Sequence, residues 1–486
     1  MSSGRRKKSF KRILKHKIFR TRNIFSLFGI IFSSIVLIYL LLLNIIPSSY
    51  YILIVLFVLI FNIIGIAFIN AHRKKVLKIV GSVMIGFVIL FNLFGLYYIV
   101  NIDNYLNEKF SYKDSYFKQT HYVLSRKESN YVESDIRGNI GIFQESSHSD
   151  EAFSKLSSQF SVKRNNYSNL SLMFQDFSKG VVDFLLMDQA SYDVFFSLSK
   201  DYQKNDYSIL HEFDLFSKIE NHANSVKDSF QIFVGLKNSS GIIEYAMILS
   251  VNQLNKKILI TYLPNDYYLP VYGRDSIQDS LLYLNLYDDN CLIDSLEELL
   301  NVSIDYSVIF DVDHFSKLID YLGGITFCSD YEYTTTYSSY RNISKEGEKD
   351  FVGKECKLIH GKEALAISRE VKAFPEGEKN RGNNCRQIVE STLKKFFQFK
   401  VLSHFNETLN LSKDFFDTNI SRDTFIDLVK NLFFYKNSWS SSYQILTGTP
   451  SKALVYHSNL EDQVILSNES NVLTASENMK NVMNLQ

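Results

Sequence analysis

Two arginines, Arg369 and Arg381, flank a polar loop through Pro375 and Gly377, and the loop closes on Arg381-Gly382. An arginine at a helix end commonly acts as a solvated cap or a salt-bridge partner. The other chemistry open to such a pair is a phosphate clamp. Planar guanidinium groups grip phosphate oxygens in pairs, and the amides that open the following helix add positive potential. The residues alone leave both readings open.

The segments on either side are the ones that must hold these groups. Before the loop, an apolar run ends in Ala366-Ile367-Ser368-Arg369-Glu370. After it, Cys385, Ile388, Val389, Thr392, Leu393, Phe396 and Phe397 recur at helical spacing, with Arg386, Glu390, Lys394 and Lys395 between them. Other reactive residue types form no constellation. Cys291, Cys328, Cys356 and Cys385 show no zinc spacing, and a disulfide among them cannot be paired from sequence. His148, His211 and His222 lie in polar surroundings typical of surface residues. The Asn-x-Ser/Thr triplets at Asn166 and Asn238 are what a chain rich in Asn and Ser gives by chance.

The net charge of +1 conceals an asymmetry. Fourteen Lys and Arg precede Asp103, the first acidic residue, so the remainder carries 39 basic against 52 acidic groups. An acidic body argues against nucleic-acid binding, which needs clustered cations on the binding face. Instead, the basic tail abuts three hydrophobic runs, Ile24 to Ile46, Tyr50 to Asn70 and Ile79 to Val100, each long enough to cross a bilayer. The tail and the His72-Arg73-Lys74-Lys75 connection are basic while Pro47-Ser48-Ser49 is not, which places the N-terminus in the cytoplasm and everything after Val100 outside. The runs contain no Asp, Glu, Lys or Arg, so they read as an anchor or as a surface for partner membrane proteins.

Beyond a polar, Tyr- and Lys-rich stretch read as a stalk, Asn139 to Phe143 and Gly180 to Met187 are strand patterns with helical runs between them, a small α/β unit. A second unit starts near Ser229 with strands Phe230 to Leu236, Tyr245 to Val251 and Lys257 to Leu263. It continues with a helix over Asp294 to Leu300, a strand over Tyr306 to Phe310, and a helix carrying Phe315, Leu318, Ile319 and Leu322 that Gly323-Gly324 stops. Tyr331 to Lys349 reads as a polar surface hairpin or loop, Ser421 to Leu432 as another helix, and Ser441 to Leu446 as a strand.

Three spans, an α/β insertion, Lys257 to Tyr268, Phe315 to Ile325 with its Gly-Gly, and Ala364 to Arg386 together resemble the LytR-CpsA-Psr family, and most closely its capsule-locus members with three spans and an accessory domain. The resemblance implies an α/β fold: three N-terminal transmembrane helices, an accessory α/β domain, and an extracytoplasmic domain whose central mixed sheet and flanking helices surround an apolar lipid tunnel. The expected division is a basic tail over 1–22, spans over 23–100, a stalk over 101–137, an accessory domain over 138–228, the family domain over 229–468 and a disordered tail over 469–486. Polyprenyl-pyrophosphate lipid, a peptidoglycan acceptor, the membrane and other capsule-assembly membrane proteins are the implied partners. Family members transfer a glycan phosphate from the lipid to peptidoglycan with the help of Mg²⁺, whose charge neutralises the crowded phosphates.

Carried onto this chain, the resemblance makes Arg369, Arg381 and Asp266 the catalytic candidates, adds Lys372 to the arginines as a phosphate ligand, and gives Glu244 and Glu378 to the metal. Departures from the family pattern are many. Ile242-Ile243-Glu244 replaces Arg-x-Asp, Asn265 replaces the Arg of Pro-Arg-Asp, Lys237 replaces the Asp of Gly-Ile-Asp and Ser280 a Lys. Arg369-Glu370-Val371 replaces Arg-x-Arg, Glu378 an Asp and Cys385 a Gln. Lys237, Lys372, Lys379 and Arg386 restore positive charge but lack, in the lysines, the planar fork. Each lost charge-assisted contact is worth about 1.5–3 kcal/mol. The expectation is a protein of capsular or wall polysaccharide assembly that binds the lipid-linked glycan and acts weakly or as a regulator. The alternative is an active phosphotransferase joining capsular or other wall glycan to peptidoglycan.

Overall fold

The computed structural model describes residues 21–484 except 72–74, 111–115, 147, 219–227, 239–240, 275–276, 288–289, 330–332, 337–348, 353–355, 372, 375–376, 397–414, 435–438 and 458. The chain divides into two compact units.

The first unit comprises residues 1–111 and 422–437. Helices α1 (Thr21–Leu43), α2 (Ser48–Ile69) and α3 (Lys75–Lys109) are long and apolar enough to cross a membrane. Their outward faces are exposed Leu, Ile and Phe, whereas polar groups turn inward. Asn92 donates to Ser33 Oγ at 2.9 Å, a tie that costs little in a bundle where such groups otherwise lack partners. Asp103, on the last turns of α3, accepts from Tyr39 at 2.8 Å and from Arg422 at 2.6 Å.

The second unit holds two layered α/β bodies. The accessory sheet has the order β3-β2-β4-β1-β5, from β1 (Tyr116–Arg126), β2 (Gly138–Phe143), β3 (Val162–Tyr167), β4 (Phe184–Asp188) and β5 (Tyr207–Lys218). β2 runs parallel to β3 and β4, and β1 antiparallel to β4 and β5. Helices α4 (Ser149–Ser157), α5 (Leu170–Ser178) and α6 (Gln189–Leu198) flank it. Phe143, Phe174, Phe177 and Phe195 fill one face.

The stalk expected over 101–137 is therefore corrected. α3 ends at Lys109, and Tyr116–Arg126 is an interior strand whose Val123 and Leu124 are both fully buried. Burial on both faces removes the alternation by which a strand is read from sequence.

The main sheet has the order β16-β11-β6-β7-β8-β17. Its strands are β6 (Ser229–Lys237), β7 (Ile243–Asn252), β8 (Lys257–Leu263), β11 (Tyr306–Asp311), β16 (Phe416–Thr418) and β17 (Ser440–Ile445). β6, β7 and β8 are antiparallel neighbours, whereas β11 and β17 join parallel to β6 and β8. A second sheet, β10-β9-β19-β18, uses β9 (Tyr267–Pro270), β10 (Gln278–Ser280), β18 (Gly448–Val455) and β19 (Leu460–Ser467). α7 (Cys291–Leu300) and α12 (Glu469–Asn484) close the large core around Ile248, Leu259 and Leu296. On the opposite side lie α8 (Val312–Tyr321), α9 (Gly361–Arg369) and α10 (Glu378–Phe396).

Two further readings change. The tail after 469 is α12, with Val472, Ala475 and Met479 buried and the carbonyls of Ala475 and Val482 accepting from Gln444 and Asn252. Its apolar positions are too sparse to announce a helix, and only the waiting core surface makes them sufficient. Nor are the accessory and main bodies separate compact units: Ala190 and Val194 of α6 share a core with Leu282, Tyr283, Leu286 and Val455.

The Tyr331–Lys349 segment is described only at its ends, where β13 (Tyr333–Thr336) pairs with β14 (Lys349–Val352). Beside it, β12 (Ile325–Cys328) pairs with β15 (Cys356–Ile359), and a Cys328–Cys356 disulfide crosses the two. The helix expected at Ser421–Leu432 is α11 (Arg422–Phe434), in the first unit, where the Phe425 ring packs tilted against Phe110 with centroids 4.6 Å apart.

Candidate functional site

Arg369 ends α9, and Arg381 lies in the first turn of α10, so the short polar loop between these helices turns both guanidinium groups toward the same strands. α9 approaches closely because Gly361 lies against α8, where a Cβ would stand 2.1 Å from the Ser316 carbonyl. α10 does the same at Gly382, whose Cβ would meet Tyr443 Oη at 2.7 Å and the Tyr262 ring at 2.9 Å. These two glycines fix how deep the arginines sit. Arg369 is 4% exposed and Arg381 1%.

Glu244 on β7 stands between them. Arg369 donates from Nε to Glu244 Oε2 at 2.8 Å and from Nη2 to Oε1 at 3.1 Å, a fork-to-carboxylate pair. Arg381 Nη2 donates to the Glu244 backbone carbonyl at 2.6 Å, and its Nη1 reaches Glu378 Oε1 at 3.1 Å and Asn265 Oδ1 at 3.4 Å. Glu378 accepts in turn from Tyr262 Oη at 2.7 Å, and burial pushes that phenol well above its ordinary pKa, fixing it as a donor. Asn238 donates to Glu244 Oε1 at 3.2 Å. Two cations and two anions thus neutralise each other, an arrangement that a buried charge requires.

Sequence reasoning placed Arg369, Arg381, Glu244 and Glu378 at one site, and the fold brings all four together. The remaining candidates lie differently. Asn265 is the residue that meets Arg381, whereas Asp266 follows it and its carbonyl accepts from Ile465 N. Lys372 lies outside the described residues. Lys237 pairs with Asp417 at 2.6 Å and Arg386 with Glu390 at 2.7 Å, so neither charge is held in the Glu244 cluster, and Lys379 is exposed. Ser280 donates to the Asn265 carbonyl at 2.9 Å.

Asn238 and Tyr262 join the cluster without a sequence signal of their own. Asn238 sits in a glycosylation-like triplet and Tyr262 in a strand, and nothing local distinguishes either from its neighbours. Cys385 is buried against the Ser368 carbonyl, and burial pushes its thiol up to about 12, which leaves it unreactive.

A small apolar cavity of about 20 Å³ lies between α8, α9 and α10, walled by Leu236, Val312, Ile319, Ala364 and Ile388. A smaller one of about 10 Å³ shares Leu236, Val312, Ser368 and Cys385 with it and includes Glu244, Arg369 and Arg381 in its wall. The charged cluster therefore stands at the end of an apolar space. Glu244 and Glu378, the carboxylates that the resemblance gives to Mg²⁺, both accept from arginines here. Among the described residues, no three or more His, Cys, Asp or Glu gather for a metal.

Comparison with known proteins places the fold in a family: the LytR_cpsA_psr family model matches residues 240–464. The chain carries a LytR_cpsA_psr domain. Helices α9 and α10, β7 to β9 and the whole charged cluster except Asn238 fall within the match.

Among curated relatives, the polyisoprenyl-teichoic acid–peptidoglycan teichoic acid transferase TagU of Bacillus mycoides is 25% identical over 202 residues, covering 41% of this chain and 60% of the relative. TagU of Bacillus licheniformis is 27% identical over 183 residues, covering 37% and 55%. The chain thus spans about 60% of the length of these relatives. Among solved structures, protein gbs0355 from Streptococcus agalactiae aligns over 53% of this chain and 89% of its own, with 18% identity and a TM-score of 0.45. B. subtilis TagU aligns over 54% and 99%, with 21% identity and a TM-score of 0.41.

Proposed function

We propose that this protein is a membrane-anchored component of cell-envelope polysaccharide assembly whose LytR_cpsA_psr domain binds a polyprenyl-pyrophosphate-linked glycan. Arg369 and Arg381 bind the pyrophosphate, the apolar cavity receives the first prenyl units, and the domain acts outside the membrane. Transfer activity is weak, and the main role is regulatory.

The observation that carries this reading is the placement of two buried arginines at the end of an apolar cavity, each already paired with a glutamate. A phosphate must displace the carboxylate of Glu244 to reach the fork of Arg369. Asn265 and Ser280 stand where the resemblance expects cations and contribute hydrogen bonds without charge. At about 20 Å³ the cavity has room for no more than a water or two, so a prenyl tail must part α8 from α9 and α10 to enter.

In the active alternative, Arg369 and Arg381 orient the pyrophosphate and stabilise the charge that develops as the phosphate bond to the lipid breaks. Glu244 and Glu378 would hold Mg²⁺, which supplies further neutralisation of that charge. Asp266, in the turn after β8, would support the site. The TagU relatives, named for transfer between polyisoprenyl-linked teichoic acid and peptidoglycan, favour this alternative.

The deciding experiment gives the full chain in detergent a polyprenyl-pyrophosphate glycan, a peptidoglycan acceptor and Mg²⁺. Saturable lipid binding without transfer, lost in Arg369→Ala and Arg381→Ala, is the expected result. Transfer abolished by the same changes establishes the enzyme, and no lipid binding at all defeats both readings.

A further inference from the structure

Among the described residues, β12 and β15 form a sheet of two strands, so the outer edge of β12 has no further strand beside it. Gln387, on α10, covers that edge at one residue. Its Nε2 donates to the Cys328 carbonyl at 2.9 Å, and its Oε1 accepts from the Cys328 N–H. A carboxamide carries the same donor and acceptor as a peptide group, so this side chain takes the place of a neighbouring strand.

A residue's N–H and C=O leave an antiparallel strand on the same side. Cys328 spends both on Gln387, so its pairing with Cys356 is of the non-hydrogen-bonded kind, in which facing side chains come closest. The Cys328–Cys356 disulfide spans that pair. Cys328 is therefore fastened on both sides, to β15 by a covalent bond and to α10 by two hydrogen bonds.

Each fastening leads to one of the arginines. β15 ends at Ile359, and α9 begins at Gly361 with only His360 between. That joint is itself held: Glu363 accepts from His360 N at 3.0 Å, and Asp320 accepts from Gly361 N at 2.8 Å. α9 then runs unbroken to Arg369. On the other side, Gln387 follows Arg381 by six residues on α10, about 9 Å along the helix axis. Phe327, Ile359, Ile367 and Ile388 pack in one core between these elements. Two helices joined only by a loop can swing about it, and a second tie away from the loop removes that freedom. Two forks that must meet one pyrophosphate together need it removed.

We propose that Gln387 is a positioning residue for the arginine pair: with the Cys328–Cys356 bond it forms a brace that sets the spacing of Arg369 and Arg381. The value of that spacing for pyrophosphate binding rests on the function proposed above, whereas the brace itself does not.

Two measurements on the full chain in detergent test it. Spin labels on Lys362→Cys and Lys394→Cys, exposed positions of α9 and α10, report the distance between the helices by pulsed electron resonance. Gln387→Met keeps the length of the side chain and removes both bonds, and it should broaden a distribution that is narrow with glutamine. An unchanged distribution overturns the proposal. Titration with farnesyl pyrophosphate reads the consequence, and Gln387→Met should bind about fivefold or more weakly than the wild type. Equal affinity overturns the positioning role.

Gln387→Glu, isosteric with the native side chain, supplies a readout that lost stability alone would not move. Its carboxylate has no proton for the Cys328 carbonyl, whereas the protonated acid again offers one donor and one acceptor. Its affinity relative to wild type should be low at about pH 7.5 and recover as pH falls toward about 4.5, near the ordinary carboxyl pKa, while Gln387→Met stays weak throughout. A constant ratio for both variants also counts against the brace. Reducing the disulfide should weaken wild-type binding and change Gln387→Met little, since both act on one brace; additive losses would show two separate effects and overturn it. A wild type that binds no farnesyl pyrophosphate defeats the proposed function instead, and the distance distribution then decides the brace.

Discussion

Glu244→Gln separates the two things the glutamate does. In the native chain its carboxylate takes two bonds from Arg369 and one from Asn238, at 6% exposure. Glutamine has the same shape but presents an NH₂ to one of the guanidinium donors and brings no charge. Breaking one partner of a buried ion pair costs about 3–5 kcal/mol, since the other charge is left uncompensated. At a few degrees per kcal/mol, the melting temperature of the ligand-free variant should fall by roughly 5 °C or more. The freed fork is then open to a phosphate, and the added charge-assisted contact of about 1.5–3 kcal/mol should tighten a prenyl pyrophosphate roughly 10- to 100-fold.

Thermal melts of the full chain in detergent with and without farnesyl pyrophosphate, backed by direct titration, read both quantities. The variant should start lower and gain more from the ligand than the wild type. An unchanged melting temperature would show that the pair does not hold the site together. A lowered temperature with unchanged or weaker affinity would show that Arg369 does not face the phosphate.

The buried seam between the accessory and main bodies should impose a pH signature. Burial pushes the Asp279 carboxyl up to about 7 from 3.8, so its contribution is complete below about 4 and lost as pH rises to 7. His457, pushed down to about 4 from 6.5, contributes in the opposite sense, its share growing as pH rises from 4 to 6.5. Melts across this range should therefore show Asp279→Asn improving relative to wild type with rising pH and His457→Gln worsening; parallel curves would contradict both assignments. Replacing Cys328 and Cys356 by serine, which opens a cross-link spanning 28 residues, should cost about 3 kcal/mol. Reductant should lower the melting temperature of the wild type and leave the double variant unmoved.

Several parts of this architecture were legible because their signal is local. The uninterrupted apolar runs of α1 to α3, the strand pattern of Ile258-Leu259-Ile260, and the helical face of Phe315, Leu318 and Ile319 ending at Gly323-Gly324 each state their period within a few residues. The loop between Arg369 and Arg381 was likewise readable as a turn that sets two cations side by side.

The partners of those cations were not. Glu244 lies 125 residues from Arg369, and Ser191 lies 266 from His457, so no spacing rule links them. Only the closing of β7 against α9, and of the β18–β19 turn against α6, makes those groups neighbours. β1 was hidden because both its faces are buried, and α12 because its three buried apolar side chains suffice only when a core is there to receive them. The amino-acid order by itself determined which segments are apolar, which are regular and which residue types could bind phosphate. Tertiary structure decided that the arginines spend their forks on glutamates, because pairing between distant charges depends on geometry that the chain acquires only when its sheets and helices pack.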